Sequence, residues 1–419
     1  MNVFGNLPTD TIVGDHFKIG KLRRQAMDVC VTVCGGGNAV HVLVGMLADR
    51  VRRLNLYVST GERASRWKSS PGVEVKSRDG AVLYSGRPTI VSCSAAEVIP
   101  DADLVLLSVP AYSLKKYLTA ILPNLRSGGT LVAMPGSGGF HWIVESVARQ
   151  LQLRLPATVG GTCHLPMTCR WDRYSRSACL LSLKDEIKVA ATPGTEVGRV
   201  ADLLQALLKP IRITSVRHLI LCNLYPANQI IHTSRLFELF RGWKPGVSYA
   251  ENQDFYHSMG SDTIRILQPL SDELGSICAA LERLAPRTHL RQDWDDIQTA
   301  MIKYYHSSIR EPETLLGCFT TNRAYAGLTT PMIQGRDHRW QPDWSHRYMT
   351  EDIPFGLCVV KGIAETAQVP TPMTDAIISW AQRHLGKLYL VDHALVGSDV
   401  EETAAPQRFG KFDVETLLA

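Results

Sequence analysis

Short unbroken runs of apolar residues dominate the first half of the chain. They cover residues 29–34, 54–59, 102–109 and 130–134 and are rich in leucine and valine. Runs of this length are typical of strands buried on both faces. A stretch with helical periodicity follows the first run. Buried strands that alternate with helices predict a parallel sheet with crossover helices.

The pattern changes near residue 215, where apolar residues begin to recur at helical spacing. We therefore predict an α/β protein with a parallel-sheet domain at residues 29–212 and an all-helical domain at residues 213–419. Residues 1–28 have no clear periodicity and are interpreted as an N-terminal extension. The predicted helical stretches are residues 219–240, 262–284, 294–308, 354–367 and 377–385.

The composition is that of a globular protein, since 45% of the 419 residues are hydrophobic and 20% are charged. This balance excludes a disordered or collagen-like chain. The net charge of +5 is spread along the sequence, and its densest cluster, residues 18–24, lies in the extension. Nucleic-acid-binding proteins usually concentrate Lys and Arg on one face. We therefore expect no nucleic-acid partner.

The ten cysteines lack the spacing of a metal site or a redox motif. Their close pairs are Cys30/Cys34 and Cys163/Cys169, and neither pair is separated by two residues. We expect free thiols, as in a reducing compartment, and no bound metal. The sequence contains neither a run of about 18 apolar residues nor a signal-peptide pattern. The expectation is a soluble, cytoplasmic protein without a membrane partner.

A glycine-rich turn follows the first predicted strand. The run Gly35-Gly36-Gly37 stands between that strand and a helix that begins at Asn38. In dinucleotide-binding folds, such glycines permit a tight turn and let the backbone and the helix N-terminus approach the pyrophosphate. Val40 occupies the third fingerprint position, where glycine or alanine is usual. The run predicts a dinucleotide site, and a purely structural turn is the alternative.

The second predicted strand ends without the acidic residue that usually binds the adenosine ribose. Glu62 lies slightly late, whereas Ser59 and Arg63 are suited to a 2′-phosphate, so NADH and NADPH both stay open here. Two further loops follow predicted strands at the edge where parallel sheets bind ligands, although each is equally consistent with a simple strand exit. Their candidate cofactor contacts are Val109, Pro110 and Pro135.

Several segments resemble the opine dehydrogenase family, especially its octopine and tauropine types. The most specific is residues 346–354, HRYMTEDIP. The similarity extends from about residue 29 to the C-terminus. The other matching segments are residues 33–38 followed by His41, residues 319–328, residues 380–392 and residues 405–410.

The resemblance implies a Rossmann domain followed by a helical substrate domain. It also implies an activity: a reduced nicotinamide, commonly NADH, reduces the imine that pyruvate forms with an amino acid or taurine. In marine invertebrates the reaction regenerates NAD during anaerobic glycolysis. Relatives of this kind are commonly monomers, and we expect the same here.

The resemblance places a catalytic histidine at His232, early in the second domain. Thr233 replaces the proline that often follows it in the family. A histidine suits proton donation to a carbonyl or imine because its ordinary pKa lies near neutrality. By sequence alone, a single histidine on an apolar helix face is more often a core residue.

Two further catalytic candidates lie in the matching segment. The resemblance assigns Arg347 to the pyruvate carboxylate, since a planar guanidinium forms bidentate pairs with carboxylates. An interdomain salt bridge is its alternative role. Asp352 would accept a hydrogen bond from His232 and orient the ring. Its alternative role is a helix N-cap before Ile353 and Pro354.

The predicted amine pocket departs from the octopine type. Cys163, followed by His164 and a Leu-Pro pair, stands where octopine dehydrogenases use a carboxylate to hold the arginine guanidinium, and Ala300 stands where a bulky aromatic residue lines that pocket. A buried guanidinium without a counter-charge costs several kcal/mol. We therefore expect a small or neutral amine such as taurine, β-alanine, alanine or glycine as the second small-molecule substrate.

Three other functions compete with this interpretation. One is an octopine dehydrogenase that uses arginine. Another is a related two-domain reductase acting on ketopantoate or glycerol 3-phosphate, which would use a lysine as its acid. The third is a nicotinamide-binding regulatory protein without catalysis, which the loss of His232, Arg347 or Asp352 would favour; all three residues are present.

Overall fold

The computed structural model describes residues 26–418, and its first half is built on two sheets. The predicted extension, residues 1–28, therefore lies almost wholly outside the described residues, and the first strand already begins at Met27. The strands of this half are, in chain order, β1 (Met27–Cys34), β2 (Val51–Tyr57), β3 (Val73–Lys76), β4 (Val82–Gly86), β5 (Ile90–Ser92), β6 (Leu104–Leu107), β7 (Thr130–Ala133), β8 (Thr158–Thr162), β9 (Met167–Arg173), β10 (Ser177–Leu183), β11 (Glu186–Thr192) and β12 (Arg212–Ser215).

The larger sheet has eight strands in the order β12-β11-β8-β7-β6-β1-β2-β5. The six strands from β8 to β5 are parallel, as predicted, and form the Rossmann-type sheet. Strand β11 runs antiparallel to β8 and pairs in parallel with β12. The apolar runs of β1, β6 and β7 are buried on both faces, which explains why they lack alternation.

The second sheet, in the order β4-β3-β10-β9, was not predicted. It covers helix α1, which contacts β1 on one side and all four strands of this sheet on the other. Every residue of α1 from Ala39 to Leu47 is buried as a result. The helices of this half are α1 (Asn38–Leu47), α2 (Gly61–Lys68), α3 (Leu114–Ile121), α4 (Phe140–Gln150) and α5 (Val197–Leu208).

The second half is helical, as predicted, and also contains one short antiparallel hairpin. The hairpin pairs β13 (Met332–Gln334) with β14 (Trp340–Pro342), so the expectation of an all-helical domain was too strict. Three-residue strands are too short for periodicity to reveal. The helices are α6 (Leu221–Leu224), α7 (Asn228–Phe240), α8 (Ser261–Leu284), α9 (Leu290–Asp293), α10 (Ile297–Tyr305), α11 (Leu315–Thr320), α12 (Arg347–Thr350), the π-helical turn Ile353–Leu357, α13 (Cys358–Thr366), α14 (Pro372–Leu385) and α15 (Val414–Leu418).

The two halves share one continuous apolar core. It joins side chains on one face of the large sheet and on α3 and α4 to the helices of the second half. Trp142 on α4 is fully buried and donates its indole N–H to the carbonyl of Ala404 at 3.1 Å. The predicted boundary at residue 212 falls at the start of β12, and the division into domains stays a prediction.

No helix within residues 26–418 is both long enough and apolar enough to cross a lipid bilayer.

Candidate active site

A cleft of about 450 Å³ lies between the two halves. One wall is formed by the loops at the carboxyl ends of β1, β6 and β7, where parallel sheets bind ligands. Helix α7, α12 and the π-helical turn form the facing wall, and the segment from β8 to β9 closes one side. The predicted site residues that line it are Gly37, Asn38, Val109, Pro110, Pro135, Cys163, His164, His232, Arg347 and Asp352.

The glycine run forms the tight turn that the sequence predicts. Gly35 has a φ of +130°, and a Cβ there would lie 2.3 Å from the carbonyl oxygen of Ser108. A side chain at Gly35 is therefore excluded by both conformation and space. Gly37 has a φ of −86° and caps the N-terminus of α1, and a Cβ at this position would meet no atom within 4 Å. The turn thus leaves open space in front of the helix N-terminus, which suits a phosphate.

His41 fixes this turn to the second sheet. Its Nε2 accepts the backbone N–H of Ser175 at 2.8 Å, so the ring proton is on Nδ1, which donates to the carbonyl of Gly37 at 2.8 Å. Burial lowers the pKa of His41 to about 4, so the ring is neutral at physiological pH. The second sheet therefore holds the glycine turn in place.

The residues proposed for the adenosine end lie beside the turn rather than in the cleft wall. The Nη1 of Arg63 lies 3.6 Å from the position of a Cβ on Gly36. Ser59 interacts with the hydroxyl of Tyr117. The side chain of Asn38, also predicted to contact the cofactor, accepts the backbone N–H of Trp171 at 3.0 Å and so joins α1 to β9.

His232 is the centre of the catalytic cluster. Its Nδ1 lies 2.7 Å from Oδ2 of Asp352, and its Nε2 lies 2.9 Å from the hydroxyl of Tyr256. A carboxylate accepts only, so Nδ1 carries the proton and Nε2 of the neutral ring is free to accept from Tyr256. The ring of Tyr348 stacks on His232 with 3.5 Å between ring centres. This arrangement holds the imidazole in one tautomer and one orientation.

Opposing influences act on the pKa of His232. Burial lowers this pKa, and the hydrogen bond and charge of Asp352 act in the opposite direction. The nearby cations Arg347 and Arg170 lower it further, and the net direction is downward. Burial also raises the pKa of the Tyr256 hydroxyl well above its ordinary value, so Tyr256 keeps its proton and serves as a donor. The cluster thus contains an uncharged base next to a fixed carboxylate.

Arg347 faces the cleft, and Glu351 holds the Arg347 guanidinium in its orientation. Its Nε lies 2.8 Å and its Nη2 2.5 Å from Oε2 of Glu351, and over half of its side chain remains exposed. The other oxygen of Glu351 accepts the backbone N–H of Ala111, in the loop after β6, at 2.9 Å. Arg347 is therefore linked to the first half through Glu351, which partly realises the interdomain role considered for it. The rest of the guanidinium stays open to a ligand.

The side chain of Asp352 is used by His232 and not by the helix end. Asp352 occupies the N-cap of the π-helical turn, but its carboxylate makes no capping hydrogen bond there. Pro354 follows early in the turn, where a missing N–H is tolerated. The capping alternative considered for Asp352 therefore does not account for its carboxylate.

Ala300 is the predicted site residue that the structure places elsewhere. It is fully buried in α10 and is not among the described residues that line the cleft. The same helix reaches the cleft through Tyr305. Ala300 lies more than a turn earlier in the helix and packs in the core, so it cannot set the size of the amine pocket directly.

Among the cleft residues that the sequence analysis did not predict, five carry side chains that bear on the chemistry of the site. Two of them, Tyr348 and Glu351, lie within the segment 346–354 that carried the resemblance, so their proximity to Arg347 and Asp352 was a usable signal. Nothing local marks the other three, because each lies outside the segments that carried the resemblance. The five residues are Arg170, Lys184, Tyr256, Tyr348 and Glu351.

Comparisons with known proteins agree with this architecture. Residues 215–385 match the family described as NAD/NADP octopine/nopaline dehydrogenase, alpha-helical domain. The chain is 31% identical to a tauropine dehydrogenase from Arabella iricolor, over 93% of this chain and 100% of the relative. It is 32% identical to an octopine dehydrogenase from Mizuhopecten yessoensis, over 94% and 99%. An octopine dehydrogenase structure described as a complex with NADH and pyruvate superposes with a TM-score of 0.80 at 29% identity, over 93% of this chain and 98% of that one.

Proposed function

The chain belongs to the opine dehydrogenase family, and we propose that it catalyses the NADH-dependent condensation of pyruvate with a small amine to give a secondary amine dicarboxylate or its sulfonate counterpart. The observation that carries this proposal is the position of His232. It faces the glycine turn across one cleft, with Asp352 on one ring nitrogen and a tyrosine hydroxyl on the other.

The residues around the glycine turn fit a dinucleotide. Gly35 brings the backbone close to Ser108, Gly37 leaves open space before α1, and the N-terminal N–H groups of α1 suit the pyrophosphate. Arg63 lies beside Gly36 of the turn, and we propose that Arg63 and Ser59, which follows β2, meet the adenosine ribose. A bound reduced nicotinamide would supply the hydride that reduces the imine carbon. We propose NADH as the cofactor, in line with the solved relative.

We propose that Arg347 binds the carboxylate of pyruvate. Its guanidinium is exposed to the cleft, and Glu351 fixes its direction through two N–H groups. The remaining N–H groups form the planar fork that a carboxylate requires. Arg170 adds a second cation close enough to influence the pKa of His232. A keto acid held here presents its carbonyl towards the imidazole.

His232 serves as the proton carrier of the reaction. When the amine adds to the pyruvate carbonyl, the resulting carbinolamine must lose its hydroxyl group as water to form the imine. That loss needs a proton, which the imidazolium donates from Nε2 while Asp352 stabilises the positive ring from Nδ1. The amine nitrogen releases the proton that restores the imidazolium. Delivery of a hydride to the imine carbon, together with return of a proton from the imidazolium to the nitrogen, would give the secondary amine.

None of the described residues that line the cleft is a carboxylate free to neutralise a guanidinium. Cys163 and His164 line the cleft, and we propose that they border the amine. The carboxylates among the described lining residues, Glu351 and Asp352, are already bound to Arg347 and His232. We therefore propose a small or neutral amine such as taurine or β-alanine in place of arginine.

We also propose a cytoplasmic monomer that regenerates NAD when glycolysis outruns the oxygen supply. All ten cysteines carry free thiols, which suits a reducing compartment. Pyruvate and NADH are both produced by glycolysis, so the condensation consumes its end products. Its partners would be small molecules, without nucleic acid or membrane.

The test of this function is an NADH-oxidation assay with pyruvate and a panel of amines, run in parallel with NADPH. We expect NADH consumption that requires both pyruvate and an amine and that is faster than with NADPH. His232→Gln should lower kcat by about 10²- to 10⁴-fold, the range of general acid catalysis, while NADH binding is retained. Failure of every amine to support turnover, despite measurable NADH binding, would contradict the proposal.

A further inference from the structure

A buried lysine without a counter-charge lies in the wall of the cleft. Lys184 connects β10 to β11 and is only 8% exposed. Of the described residues, none forms an ion pair or hydrogen bond with its ammonium group; its Nζ instead lies 4.8 Å from the ring centre of Tyr304 and 5.6 Å from that of Tyr305. Burial lowers the pKa of Lys184 to about 7. A buried cation in this state is costly unless an anion joins it.

A neighbouring buried lysine, Lys188, has the counter-charge that Lys184 lacks. Lys188, four residues later, is also buried, and its Nζ lies 2.7 Å from Oδ2 of Asp295 and 2.6 Å from the carbonyl of Asp293. The fold thus provides a carboxylate for Lys188 and, among the described residues, none for Lys184. The difference between the two lysines is that Lys184 lines the cleft and Lys188 does not.

A second polar atom beside Lys184 also lacks a partner. The Nε2 of His164 is buried, and among residues 26–418 nothing donates to it or accepts from it. The His164 ring lies 4.3 Å from Tyr304, between ring centres, and lines the same cleft. Burial, together with the charges of Lys184 and Lys188, keeps the pKa of His164 well below its ordinary value, so the ring is neutral. The cleft therefore contains, next to the same Tyr304 ring, an ammonium group without a counter-charge and a ring nitrogen without a partner, and an anionic ligand would satisfy both.

Lys184 is separated from the reacting centre by a row of aromatic rings. Tyr305, Tyr325 and Tyr256 follow one another with 5.3 Å and 4.0 Å between ring centres, and Tyr256 meets His232 through its hydroxyl. A substrate that reaches both His232 and Lys184 must therefore carry its anion at some distance from its reacting nitrogen. The α-carboxylate of glycine or alanine, one carbon from the nitrogen, reaches less far towards Lys184 than a carboxylate or sulfonate at the end of a longer chain.

Resting on the function proposed above, we propose that Lys184 binds an acidic group of the amine substrate, a carboxylate or sulfonate separated from the reacting nitrogen by two or more carbon atoms. The unpartnered Nε2 of His164 completes this subsite when its ring donates from that nitrogen. The bound anion neutralises the buried ammonium and forms a charge-assisted hydrogen bond with it. A guanidinium at the same place would meet a like charge and is excluded.

The first test compares wild-type kcat/KM values for amines at saturating NADH and pyruvate. Taurine and β-alanine have the same carbon spacing and differ as sulfonate and carboxylate, and glutamate extends the spacing. We expect the best of these three to exceed glycine, alanine and arginine by about tenfold or more, since hydrogen bonds to charged groups contribute roughly 1.5–3 kcal/mol. A preference for glycine, alanine or arginine would overturn this proposal and leave the enzyme activity itself established. Inactivity with every amine would instead refute the function on which it rests.

The second test replaces the lysine. Lys184→Met should raise KM for the preferred distal-acid amine by about tenfold or more, for the same energetic reason, and leave KM for pyruvate unchanged. Lys184→Arg, which keeps the charge, should restore most of the affinity. Lys116→Met, an exposed lysine on α3, is the matched control and should leave both constants unchanged.

The folding of the Lys184→Met variant is checked by thermal melting, where we expect a Tm no lower than that of the wild type because a buried unpaired charge is removed. An unchanged KM for the distal-acid amine, or an equal rise for glycine, would overturn the assignment. If Lys184→Met does not fold, the wild-type amine preference and the Lys184→Arg variant decide the question.

Discussion

At the scale of single residues, the chemistry depends on how the two nitrogens of His232 are used. Asp352 fixes the proton on Nδ1, and Tyr256 marks the place at Nε2 where a substrate oxygen would lie. Burial lowers the pKa of His232, whereas Asp352 works against that effect. The acid form needed to expel water from the carbinolamine therefore depends on the carboxylate.

Asp352→Asn should move the pH dependence of the condensation to lower pH. Without the carboxylate, the pKa of His232 falls further, so the imidazolium is populated only under more acidic conditions. The measurement is kcat against pH for the wild type and the variant, with NADH binding as a control. An unshifted descending limb, or a shift towards higher pH, would argue against the role of Asp352.

The sequence predicted His232, Arg347 and Asp352 because a specific segment pattern marked them. Tyr256 and Lys184 were not predictable in this way, since neither lies in a segment that carried the family resemblance. Tyr256 matters because it contacts His232, and Lys184 matters because it is buried without a counter-charge. Only the folded structure reveals these two facts. For Ala300 the sequence led to the opposite error. Its position in the sequence suggested a pocket residue, but helix α10 directs its side chain into the buried core.

At the scale of elements, helix α1 and its glycine turn form one unit with the second sheet. The helix is apolar all round, with the sequence NAVHVLVGML, and such a helix must be buried on every side. The apolar character of α1 on all its faces was therefore the one feature of the sequence from which a second covering layer could have been predicted. The strands of that sheet are short and partly exposed, so their own pattern did not predict them.

The two outer glycines of the turn should respond differently to alanine. Gly35→Ala requires a φ of +130° and a contact of 2.3 Å with a backbone oxygen, so we expect a loss of stability of at least about 1–3 kcal/mol. Gly37→Ala meets no atom within 4 Å and should fold normally, yet its methyl group enters the space proposed for the pyrophosphate and should weaken NADH binding. Urea unfolding and NADH fluorescence titration separate the two effects. Normal NADH affinity in Gly37→Ala would place the dinucleotide elsewhere.

His41 should make the stability of this unit depend on pH. Its pKa is about 4 in the folded protein and ordinarily near 6.5, so its contribution is complete above pH 6.5 and is lost as the pH falls towards 4. The loss amounts to at most about 3 kcal/mol. His41→Phe should reduce the slope of the unfolding free energy between these pH values, whereas His306→Gln, at an exposed position, should not. Equal slopes in His41→Phe and wild type would contradict the assigned tautomer and burial.

At the scale of the whole molecule, the cleft exists because the two halves are packed on a common core. The change of pattern near residue 215 predicted a parallel-sheet half and a helical half. It did not predict how they meet, because the contacts between Trp142 and Ala404 or between Glu351 and Ala111 join residues more than 200 positions apart. The relative placement of His232 and the glycine turn follows from these contacts.

The shared core should make the two halves unfold together. Because apolar side chains from both halves form one cluster, exposure of one half removes the burial of the other. We expect a single calorimetric transition with coincident loss of far-ultraviolet circular dichroism and tryptophan fluorescence. Two resolved transitions would show that the halves are independent.

The most direct test of the central claim is the fate of the hydride. The enzyme is incubated with pyruvate, the preferred amine and NADH deuterated at C4 of the nicotinamide, and the product is analysed by mass spectrometry. We expect a secondary amine that carries one deuterium on the carbon derived from the pyruvate carbonyl, and we expect its formation to be abolished or strongly reduced in His232→Gln. Deuterated lactate without amine incorporation, or no labelled secondary amine with any amine, would contradict it.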